Sequence, residues 1–407
     1  MTVLGDIVGT PHVRDGGSGD AVDGITPRWV AMPASNEECA ELLRLADRDG
    51  LAVVPRGGGT KLGWGNRPRQ VDVIVDTSRL NRVLAHEAGD LVVIAQAGTP
   101  LATVQDTVAG AGQMLGIDSL WSGATLGGII AANASGPRRV RFGTMKDLLI
   151  GITVVLPGGT IAHSGGKVVK NVAGYDLGKL FTGSLGTLGL ITETIFRLHA
   201  RPPTRRAVQA HLASPSALGL ALQDVLRSHL TPTALEVRWD RSSGRLICLF
   251  ESIEPSVAAQ SDRAASILSR FGPVDVVDDI SDLERPPWAR GQTGLKIMTV
   301  PARLPDVIET VLGAAGEHGI DCRIGGHAGV AVLLVALDGG PEAVASTITT
   351  LRSRLEQEYV VVLEAPAPVK ERVDVWGNAP GGALMRRIKE QFDPGGIMSP
   401  GRFVGGI

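Results

Sequence analysis

The sequence predicts an α+β protein made of two domains. One reason is length, because 407 residues are more than a single ordinary hydrophobic core organises. Another is a change of texture at RPPTRR (201–206), where a glycine-rich first half gives way to regularly alternating strands and helices. The hydrophobic content of 43% is typical of a fully globular chain and supplies apolar residues for two cores.

The first half contains one well-marked helix and several strands. The segment PASNEECAELLRLADRDG (33–50) predicts a helix capped by Ser35, with Glu38 as the reciprocal capping partner. A β-hairpin is predicted over 148–165, with its turn at Pro157-Gly158-Gly159. Further strands are predicted at 51–54, 71–75, 91–97 and, after a glycine turn, within 182–198, and a short helix at 100–111.

The second half repeats one order of elements. The predicted order is strand, helix, strand, strand, helix, strand, first over 205–212, 217–229, 234–239, 245–251, 255–271 and 273–277. The same order returns over 294–300, 303–318, 321–325, 330–337, 340–356 and 359–364. A doubled pattern of this kind predicts one sheet built from two ferredoxin-like halves and covered by helices.

Composition excludes several classes of function. A net charge of −2 leaves no basic surface of the size that nucleic-acid binding requires. Cys39, Cys248 and Cys322 are scattered and lack C-x-x-C spacing, so no disulfide framework, zinc site or iron–sulfur site is expected. The chain begins with no signal peptide and has no apolar run of membrane-spanning length. We therefore expect a soluble, cytoplasmic protein that does not span a membrane.

Three consecutive glycines, Gly57 to Gly59, follow an apolar run inside the segment PRGGGTKLGWGN. Their spacing matches neither the dinucleotide-binding G-x-G-x-x-G nor a P-loop. Two interpretations remain, an ordinary flexible hairpin loop or a loop whose bare backbone N–H groups converge on an anion. In the second interpretation Thr60 adds a hydroxyl, and Arg56 and Lys61 add positive charge.

Two further glycine-rich loops favour the anion-binding interpretation. WSGATLGGIIAANASG (121–136) places small residues before and within a predicted helix start, whose free N–H groups suit a phosphate. GSLGTLGLIT (183–192) supplies a third glycine-rich loop. Three such loops in one domain predict a long ligand that carries a polyphosphate and is held in extended form.

Four segments together resemble FAD-binding enzymes of the vanillyl-alcohol oxidase type, which share a PCMH-type FAD-binding domain. They are PRGGGTKLGWGN (55–66), ATLGGIIAANASGPRRVRFG (124–143), KVVKNVAGYDLGKLFTGSLGTLGLITE (167–193) and FDPGGIMSPGRF (392–403). The likeness is strongest to the GlcE-type FAD-binding subunit of glycolate oxidase (glycolate dehydrogenase) and covers residues 26–407.

The resemblance implies a domain plan. Residues 1–25 would be a lead-in, and 26–204 a PCMH-type FAD-binding domain of two α/β subdomains. Residues 205–370 would form a ferredoxin-like α+β cap or substrate domain. Residues 371–407 would be a C-terminal segment that packs back on the FAD-binding domain.

The resemblance also implies which residues bind FAD. The first loop would wrap the pyrophosphate with backbone N–H groups, the second would complete the phosphate, ribityl and flavin contacts, and the third would offer backbone atoms to the ring system or adenine. The implied set is Arg56, Gly57, Gly58, Gly59, Thr60, Lys61, Ser122, Ala124, Thr125, Leu126, Gly127, Gly128, Asn133, Ser135, Gly136, Gly189 and Ile191. Covalent members place a histidine in the first loop, where this chain has none, so non-covalent FAD is predicted.

One family feature is missing. Members that oxidise 2-hydroxy acids carry a GHAGDGNxH stretch whose histidines hold a metal, whereas this chain reads GGHAGVAVLLV (325–335). His327 is retained and an apolar strand replaces the second histidine, so no metal site is expected. His327 is then a remnant, a lone substrate-facing base or a satisfied core histidine.

Other polar residues are candidates for catalysis. Tyr175 can donate to a substrate oxygen and Lys170 can hold a carboxylate, or both can simply anchor their loop. Candidate catalytic residues are therefore Tyr175, Lys170 and His327. The arginines of PRRVRFG suit an acid, a partner's carboxylates or a solvated loop equally well. Ser399 stands where relatives usually have asparagine, so any flavin contact there is weakened or made by the serine hydroxyl.

Three functions follow from the resemblance. The preferred one is the FAD-binding subunit of a glycolate (or D-lactate) dehydrogenase complex, with a small 2-hydroxy acid as substrate. Its partners would be a second, metal-bearing FAD subunit and an iron–sulfur subunit, which can bring the chain to the inner membrane. The alternatives are a self-sufficient FAD-dependent 2-hydroxy-acid or alcohol oxidoreductase and a non-catalytic scaffold stabilised by FAD.

Overall fold

The computed structural model describes residues 2–166 and 175–407. The helices are α1 Thr2–Val8, α2 Asn36–Asp49, α3 Leu101–Ala109, α4 Leu126–Ala132, α5 Arg139–Phe142, α6 Met145–Leu148, α7 Leu177–Phe181, α8 Pro215–Arg227, α9 Glu254–Leu268, α10 Leu304–Glu317, α11 Pro341–Arg354, α12 Ala367–Lys370 and α13 Gly382–Phe392. The strands are β1 Val13–Asp15, β2 Trp29–Ala31, β3 Val53–Arg56, β4 Val73–Asp76, β5 Val83–Glu87, β6 Val92–Gln96, β7 Gln113–Met114, β8 Leu149–Val155, β9 Ile161–Gly165, β10 Leu190–Arg197, β11 His199–Ala200, β12 Thr204–Leu212, β13 Ala234–Trp239, β14 Gly244–Ser252, β15 Val274–Val277, β16 Thr293–Met298, β17 Asp321–His327, β18 Val332–Asp338 and β19 Tyr359–Glu364.

These elements form two compact units. Unit 1 contains Met1–Ser135, Thr144–Arg201 and Ala379–Ile407. Unit 2 contains Gly136–Gly143 and Pro202–Asn378. In the described part of the chain, no helix is both long enough and apolar enough to cross a membrane.

Unit 1 is built on two larger sheets. The four-stranded sheet has the order β1-β2-β4-β3, with β2, β4 and β3 parallel. The five-stranded sheet, β5-β6-β10-β8-β9, is antiparallel throughout. Val73, Ile74 and Val75 are all fully buried, as expected for a parallel strand covered on both faces. The predicted hairpin is confirmed, because β8 and β9 pair directly.

The predicted capping of the first well-marked helix is confirmed. Ser35 accepts a hydrogen bond of 3.1 Å from the backbone N–H of Glu38. The Glu38 carboxylate accepts one of 2.7 Å from the N–H of Ala34, one residue before the cap. α2 ends at Gly50, whose φ of 63° closes the last turn in the left-handed region.

Unit 2 is one antiparallel sheet of eight strands, in the order β15-β12-β14-β13-β17-β18-β16-β19. The doubled strand–helix order predicted for this region is confirmed, since all its segments are present within a few residues of the predicted bounds. Leu235, Val237 and Trp239 pack with α8 to α11 in one large core. Alternate residues of the same strands therefore lie on the opposite side of the sheet. We call that side the second face; it carries Glu236 and His327.

The C-terminal tail is bound to unit 1 by specific hydrogen bonds. Met398 pairs in parallel with Val53 at the edge of the four-stranded sheet. The ammonium of Lys389 donates 2.8 Å bonds to the carbonyls of Thr187 and Met398 and also bonds to Asp393. The Asp393 carboxylate accepts from two further N–H groups of the tail. A buried ion pair thus links α13 to the third glycine loop.

Candidate functional site

An open cavity lies in unit 1. Its walls come from the three glycine loops and from the C-terminal tail. The predicted cofactor residues on these walls are Arg56, Gly57, Gly58, Gly59, Thr60, Lys61, Thr125, Gly127, Gly128, Gly189 and Ile191. Ser122, Ala124, Leu126, Asn133 and Ser135 belong to unit 1 but do not line the cavity, and Gly136 belongs to unit 2.

The first glycine loop presents a run of backbone donors to this cavity. Within the described residues, the N–H groups of Gly58, Gly59, Thr60 and Lys61 donate to no protein acceptor. The hydroxyl of Thr125, on the same wall, is buried and equally lacks a partner in the described part of the chain. Consecutive amides of this kind fit the oxygen atoms of a diphosphate.

The glycines themselves are needed for the packing of one loop on another. A β-carbon added to Gly58 would lie 1.9 Å from the carbonyl oxygen of Gly123, and one on Gly57 would lie 2.1 Å from Oγ1 of Thr125. Gly59 has more room but a φ of +69°, which favours glycine. The triplet therefore lets the first loop close on the second, and this packing holds the bare N–H groups in place.

The prediction of free N–H groups at the helix start in the second loop is wrong for its first two residues. The N–H groups of Leu126 and Gly127 donate to the carbonyls of Thr99 at 3.0 Å and Ala97 at 2.7 Å. A β-carbon on Gly127 would lie 2.8 Å from Cβ of Ala97, so glycine here lets α4 approach the end of β6. Gly128 is the next residue of this helix on the cavity wall.

The charge expected from Arg56 is already balanced inside unit 1. Its guanidinium lies 2.7 Å from Asp20 and 2.8 Å from Asp76, with little of the side chain exposed. The hydrogen bond from Arg14, together with one from Arg56, holds the pKa of Asp20 far below its usual range despite burial. The Arg56 side chain therefore anchors the loop and adds no net positive charge to the cavity.

Lys61 is the basic side chain of this loop that carries no ion pair within the described ranges. Its ammonium lies 4.8 Å from the ring centre of Trp121, 6.0 Å from that of Trp64 and 3.1 Å from the Thr60 hydroxyl. The two tryptophan rings meet edge to face at 5.1 Å. Burial lowers the pKa of Lys61 to about 8, a penalty that an anionic ligand would offset.

Arg402 is a cavity residue that the sequence reasoning missed. Its guanidinium donates to the carbonyl oxygens of Leu62 at 2.6 Å and Trp64 at 2.7 Å. Burial lowers its pKa to about 10. Arg402 could have been found from the sequence, because it lies in the closing segment FDPGGIMSPGRF that carries the resemblance. Only Ser399 of that segment was considered as a flavin contact.

The backbone conformation at Ser399 explains why asparagine is usual at this position. Its φ is 45°, in the left-handed region that asparagine adopts more readily than most residues. The side chain is fully buried, off the cavity wall, and its hydroxyl has no partner in the part of the chain described. The expected asparagine thus suits this conformation whether or not it contacts a flavin.

For two of the candidate catalytic residues, the structure does not support a place in a functional site. Lys170 lies outside the described residues, as does Lys167. Tyr175 is 92% exposed, and its carbonyl accepts a 2.7 Å hydrogen bond from the Ser164 hydroxyl. At this exposure, water surrounds the phenol instead of groups that would tune its chemistry. A catalytic role for Tyr175 or Lys170 stays a prediction.

The third candidate, His327, is buried on the second face of unit 2. Its Nδ1 lies 2.8 Å from Oε1 of Glu236, and the two residues face each other across β17 and β13. Because a carboxylate oxygen accepts hydrogen bonds, Nδ1 is the ring nitrogen that donates to Glu236, which leaves Nε2 for another partner. Arg238 lies 3.6 Å from the other carboxylate oxygen of Glu236 and balances its charge. Sequence reasoning singled out His327 but missed Glu236.

The arginine-rich segment 138–141 belongs to unit 2 and is not simply a solvated loop. Arg138 forms two 2.8 Å hydrogen bonds with the Glu251 carboxylate, which is almost fully buried. Burial raises the pKa of Glu251, but the bonds from Arg138 more than offset this and leave it lowered. The pair anchors α5 on the second face, where Arg139 adds to the burial that lowers the pKa of Lys296 to about 8.

No group of three or more histidine, cysteine, aspartate or glutamate side chains in residues 2–166 and 175–407 is arranged to hold a metal ion. The absence of a metal site remains a prediction from the replaced second histidine.

Comparison with known proteins shows which cofactor the chain binds. Residues 27–165 match the model of an FAD-binding domain, and residues 377–403 match that of the C-terminal domain of FAD-linked oxidases. Residues 27–165 of the chain therefore form an FAD-binding domain. The fold class expected from the sequence is thus confirmed, and FAD is its cofactor.

Individual relatives support the same conclusion. The chain is 28% identical to a D-lactate dehydrogenase of Archaeoglobus fulgidus, over 92% of this chain and 91% of that one. It is 30% identical to the glycolate oxidase subunit GlcD of Bacillus subtilis, over 64% of this chain and 54% of the relative. A solved 4-ethylphenol oxidase from Gulosibacter chungangensis shares the fold with a TM-score of 0.78, at 15% identity and over 98% and 95% of the two chains. With FAD as cofactor and these relatives, the chain is an FAD-dependent oxidoreductase.

Proposed function

We propose that the chain is the FAD-binding subunit of a glycolate or D-lactate dehydrogenase complex and oxidises a small 2-hydroxy acid to a 2-oxo acid. The buried pair of Glu236 and His327 carries this proposal, because oxidation of an alcohol requires a group that accepts its hydroxyl proton. The D-lactate dehydrogenase and the glycolate oxidase subunit among the relatives support the substrate class.

The side chains of unit 2 would handle the proton. Nε2 of His327 would accept it from the substrate hydroxyl, and Glu236 would hold the ring in the required tautomer and balance the imidazolium charge. FAD, when bound, supplies the acceptor for the hydride that leaves the substrate carbon. The amides of Gly58 to Lys61 and the Lys61 ammonium would hold its diphosphate, with no covalent attachment.

Electrons must then leave the reduced protein. The chain's three cysteines are buried and free, and their separation in sequence offers no iron–sulfur ligation. We therefore propose an iron–sulfur subunit and a second, metal-bearing FAD subunit as partners. A cytoplasmic position, with contact to the inner membrane through these partners, belongs to the same proposal.

The alternative is a self-sufficient 2-hydroxy-acid or alcohol oxidoreductase. The Glu236–His327 pair favours it, since it gives this chain a proton acceptor of its own. The Archaeoglobus relative, which this chain covers over 91% of its length, favours it as well.

Anaerobic titration of the purified chain separates these functions. A flavin absorbance that glycolate or D-lactate bleaches in the lone chain supports the self-sufficient enzyme. A yellow protein that is inert until its partner subunits are added supports the complex. A yellow protein that neither acid reduces in either preparation would contradict both proposals and favour the scaffold.

A further inference from the structure

Two cations on the second face of unit 2 have no part in the mechanism above. Lys296 lies on β16, and Arg139 begins α5. We infer that Lys296 binds the carboxylate of the substrate and so selects 2-hydroxy acids over neutral alcohols. The inference rests on the proposed function and names the group that would set its substrate class.

Lys296 lacks an anionic partner in the structure. Among residues 2–166 and 175–407, no carboxylate forms an ion pair or hydrogen bond with its ammonium. The side chain is half-buried, and burial together with the charge of Arg139 lowers its pKa to about 8. A lysine with this penalty and no anionic partner is a group that a bound anion stabilises.

The sheet register places Lys296 on the same side as His327. Lys296 pairs with Leu334, and Leu334 pairs with Gly325, two residues before His327. Directly opposed residues of antiparallel strands share a face, so the ammonium and the imidazole belong to one surface. Only β18 separates their strands, a lateral spacing of roughly 10 Å that a small acid and a long lysine side chain can span.

Apolar residues flank Lys296 on the neighbouring strands, and a second cation, Arg238, lies over Gly325 on the same face. On the flanking strands, Lys296 faces two apolar residues, Leu334 and Val361. Tyr359 and Glu364 are the titratable residues of β19 on the same side. Glu364 accepts a 3.0 Å hydrogen bond from the Trp288 indole.

Arg139 is held in position by its neighbours. The bidentate pair of Arg138 and Glu251 fixes the start of α5 on the sheet. At Gly329, two residues beyond His327, an added β-carbon would lie only 3.2 Å from Val140. α5 therefore packs close to the proton-accepting histidine and also acts electrostatically on Lys296. A cation that takes part in recognising a carboxylate must be held rigidly, and these contacts hold Arg139 in this way.

The test uses the FAD-loaded protein and two variants, Lys296→Met and Lys296→Arg, with Lys146→Met as an exposed control on α6. Binding of oxalate, an unreactive dicarboxylate, is measured from the flavin absorbance. In parallel, KM and kcat are measured for D-lactate and for neutral propane-1,2-diol.

Loss of a charge-assisted hydrogen bond should raise the oxalate Kd and the D-lactate KM of Lys296→Met by about 10- to 100-fold, with a smaller effect on kcat. The diol should be oxidised no worse, Lys296→Arg should keep most of the affinity, and Lys146→Met should match the wild type. Since the ammonium lacks a partner, its replacement by methionine should leave the melting temperature unchanged or higher.

A pH profile gives a second readout that does not depend on the methionine variant. Wild-type oxalate affinity should fall above pH 8, where free Lys296 loses its proton, whereas Lys296→Arg should stay charged and bind across this range. Identical profiles would overturn the inference. So would a wild type reduced by D-lactate whose Lys296→Met variant keeps both the KM and the oxalate Kd. If no acid reduces the wild type in any preparation, the proposed function fails first.

Discussion

Lys61 is expected to couple FAD binding to pH. Its pKa in the free protein is about 8, and a bound diphosphate would raise it again, so binding above pH 8 requires uptake of a proton. The affinity for FAD should therefore fall as pH rises from about 8, by up to about tenfold per pH unit. The measurement is the Kd from quenching of FAD fluorescence by the apoprotein at about pH 7 and about pH 9.5.

The matched control for this effect is Lys61→Arg, which stays charged and should bind FAD with little change over the same range. Lys61→Met should bind more weakly at neutral pH and also lose the pH dependence. The free energy of unfolding of the apoprotein should rise with pH, whereas the affinity for FAD falls. Between pH 8 and 10.5 the unfolded chain holds the Lys61 proton that the folded one has released, so stability rises with pH. A Lys61→Met protein as pH-dependent as the wild type would contradict this account.

Glu236 should matter through the tautomer of His327. In Glu236→Gln the amide can donate to Nδ1, which would move the ring proton to Nε2 and remove the lone pair that accepts the substrate proton. The rate of flavin reduction by the best substrate should fall by about 10² to 10⁴, the usual contribution of general base catalysis. Stopped-flow absorbance at saturating substrate measures it.

The control for this prediction is His318→Asn, which removes a histidine whose ring bonds to the Thr350 hydroxyl. Flavin content and the circular dichroism spectrum show whether each variant folds and binds FAD. An intact, yellow Glu236→Gln protein with the wild-type reduction rate would assign His327 to the core, the structural alternative left open by the sequence.

At the scale of elements, sequence predicted best where the pattern is local or repeated. The cap at Ser35 lies three residues from its partner, and the alternation of apolar residues in unit 2 defines each strand. The short helix α5 could not be predicted, since its position depends on Arg138 meeting Glu251, 113 residues later in the chain. For the same reason His327 drew attention alone, whereas its partner Glu236 became visible only through the strand register.

The glycine loops show a further limit of sequence reasoning. Bare N–H groups were predicted in both of the first two loops, but those of Leu126 and Gly127 are taken by backbone carbonyls. The letters of a glycine-rich motif do not distinguish a glycine that frees an amide from one that admits a neighbouring backbone. Gly127 belongs to the second kind, since an added β-carbon would collide with Ala97, whereas Gly58 has a bare N–H and also lies against the carbonyl oxygen of Gly123.

The tail helix α13 should owe much of its attachment to one buried ion pair. Lys389 is only 9% exposed, and burial lowers its pKa although Asp393 acts to raise it. Lys389→Met would leave the Asp393 carboxylate buried and unpaired, so the free energy of unfolding should fall by about 3–5 kcal/mol. Urea denaturation of the apoprotein measures the loss.

A double-mutant cycle with Asp393→Asn isolates the pair. The sum of the two single losses in the free energy of unfolding should exceed the loss in the double variant by about 1–3 kcal/mol. The exposed pair of Arg354 and Glu317 provides the comparison, and its cycle should give less than about 1 kcal/mol. Equal coupling in the two cycles would mean that burial does not strengthen the Lys389 pair.

At the scale of the whole molecule, the proposed function assigns cofactor binding and proton transfer to different units. The cavity walls belong entirely to unit 1, whereas Glu236, His327 and Lys296 belong to unit 2. Hydrogen exchange can test this division with two ligands added in turn. FAD should slow exchange most strongly at the amides of 58–61, because these N–H groups have no protein acceptor to protect them before FAD arrives.

Oxalate, added next to the FAD-loaded protein, should slow exchange in α5 and at the end of β17 while changing little at 58–61. Local opening of these segments is the step that a bound anion suppresses, so protection should grow with oxalate concentration. Riboflavin, which carries no phosphate, serves as the control for the first ligand and should protect 58–61 far less than FAD. Strong protection of 58–61 by riboflavin would show that the flavin moiety, and not the diphosphate, occupies the first glycine loop, and the anion-binding account of that loop would then be wrong.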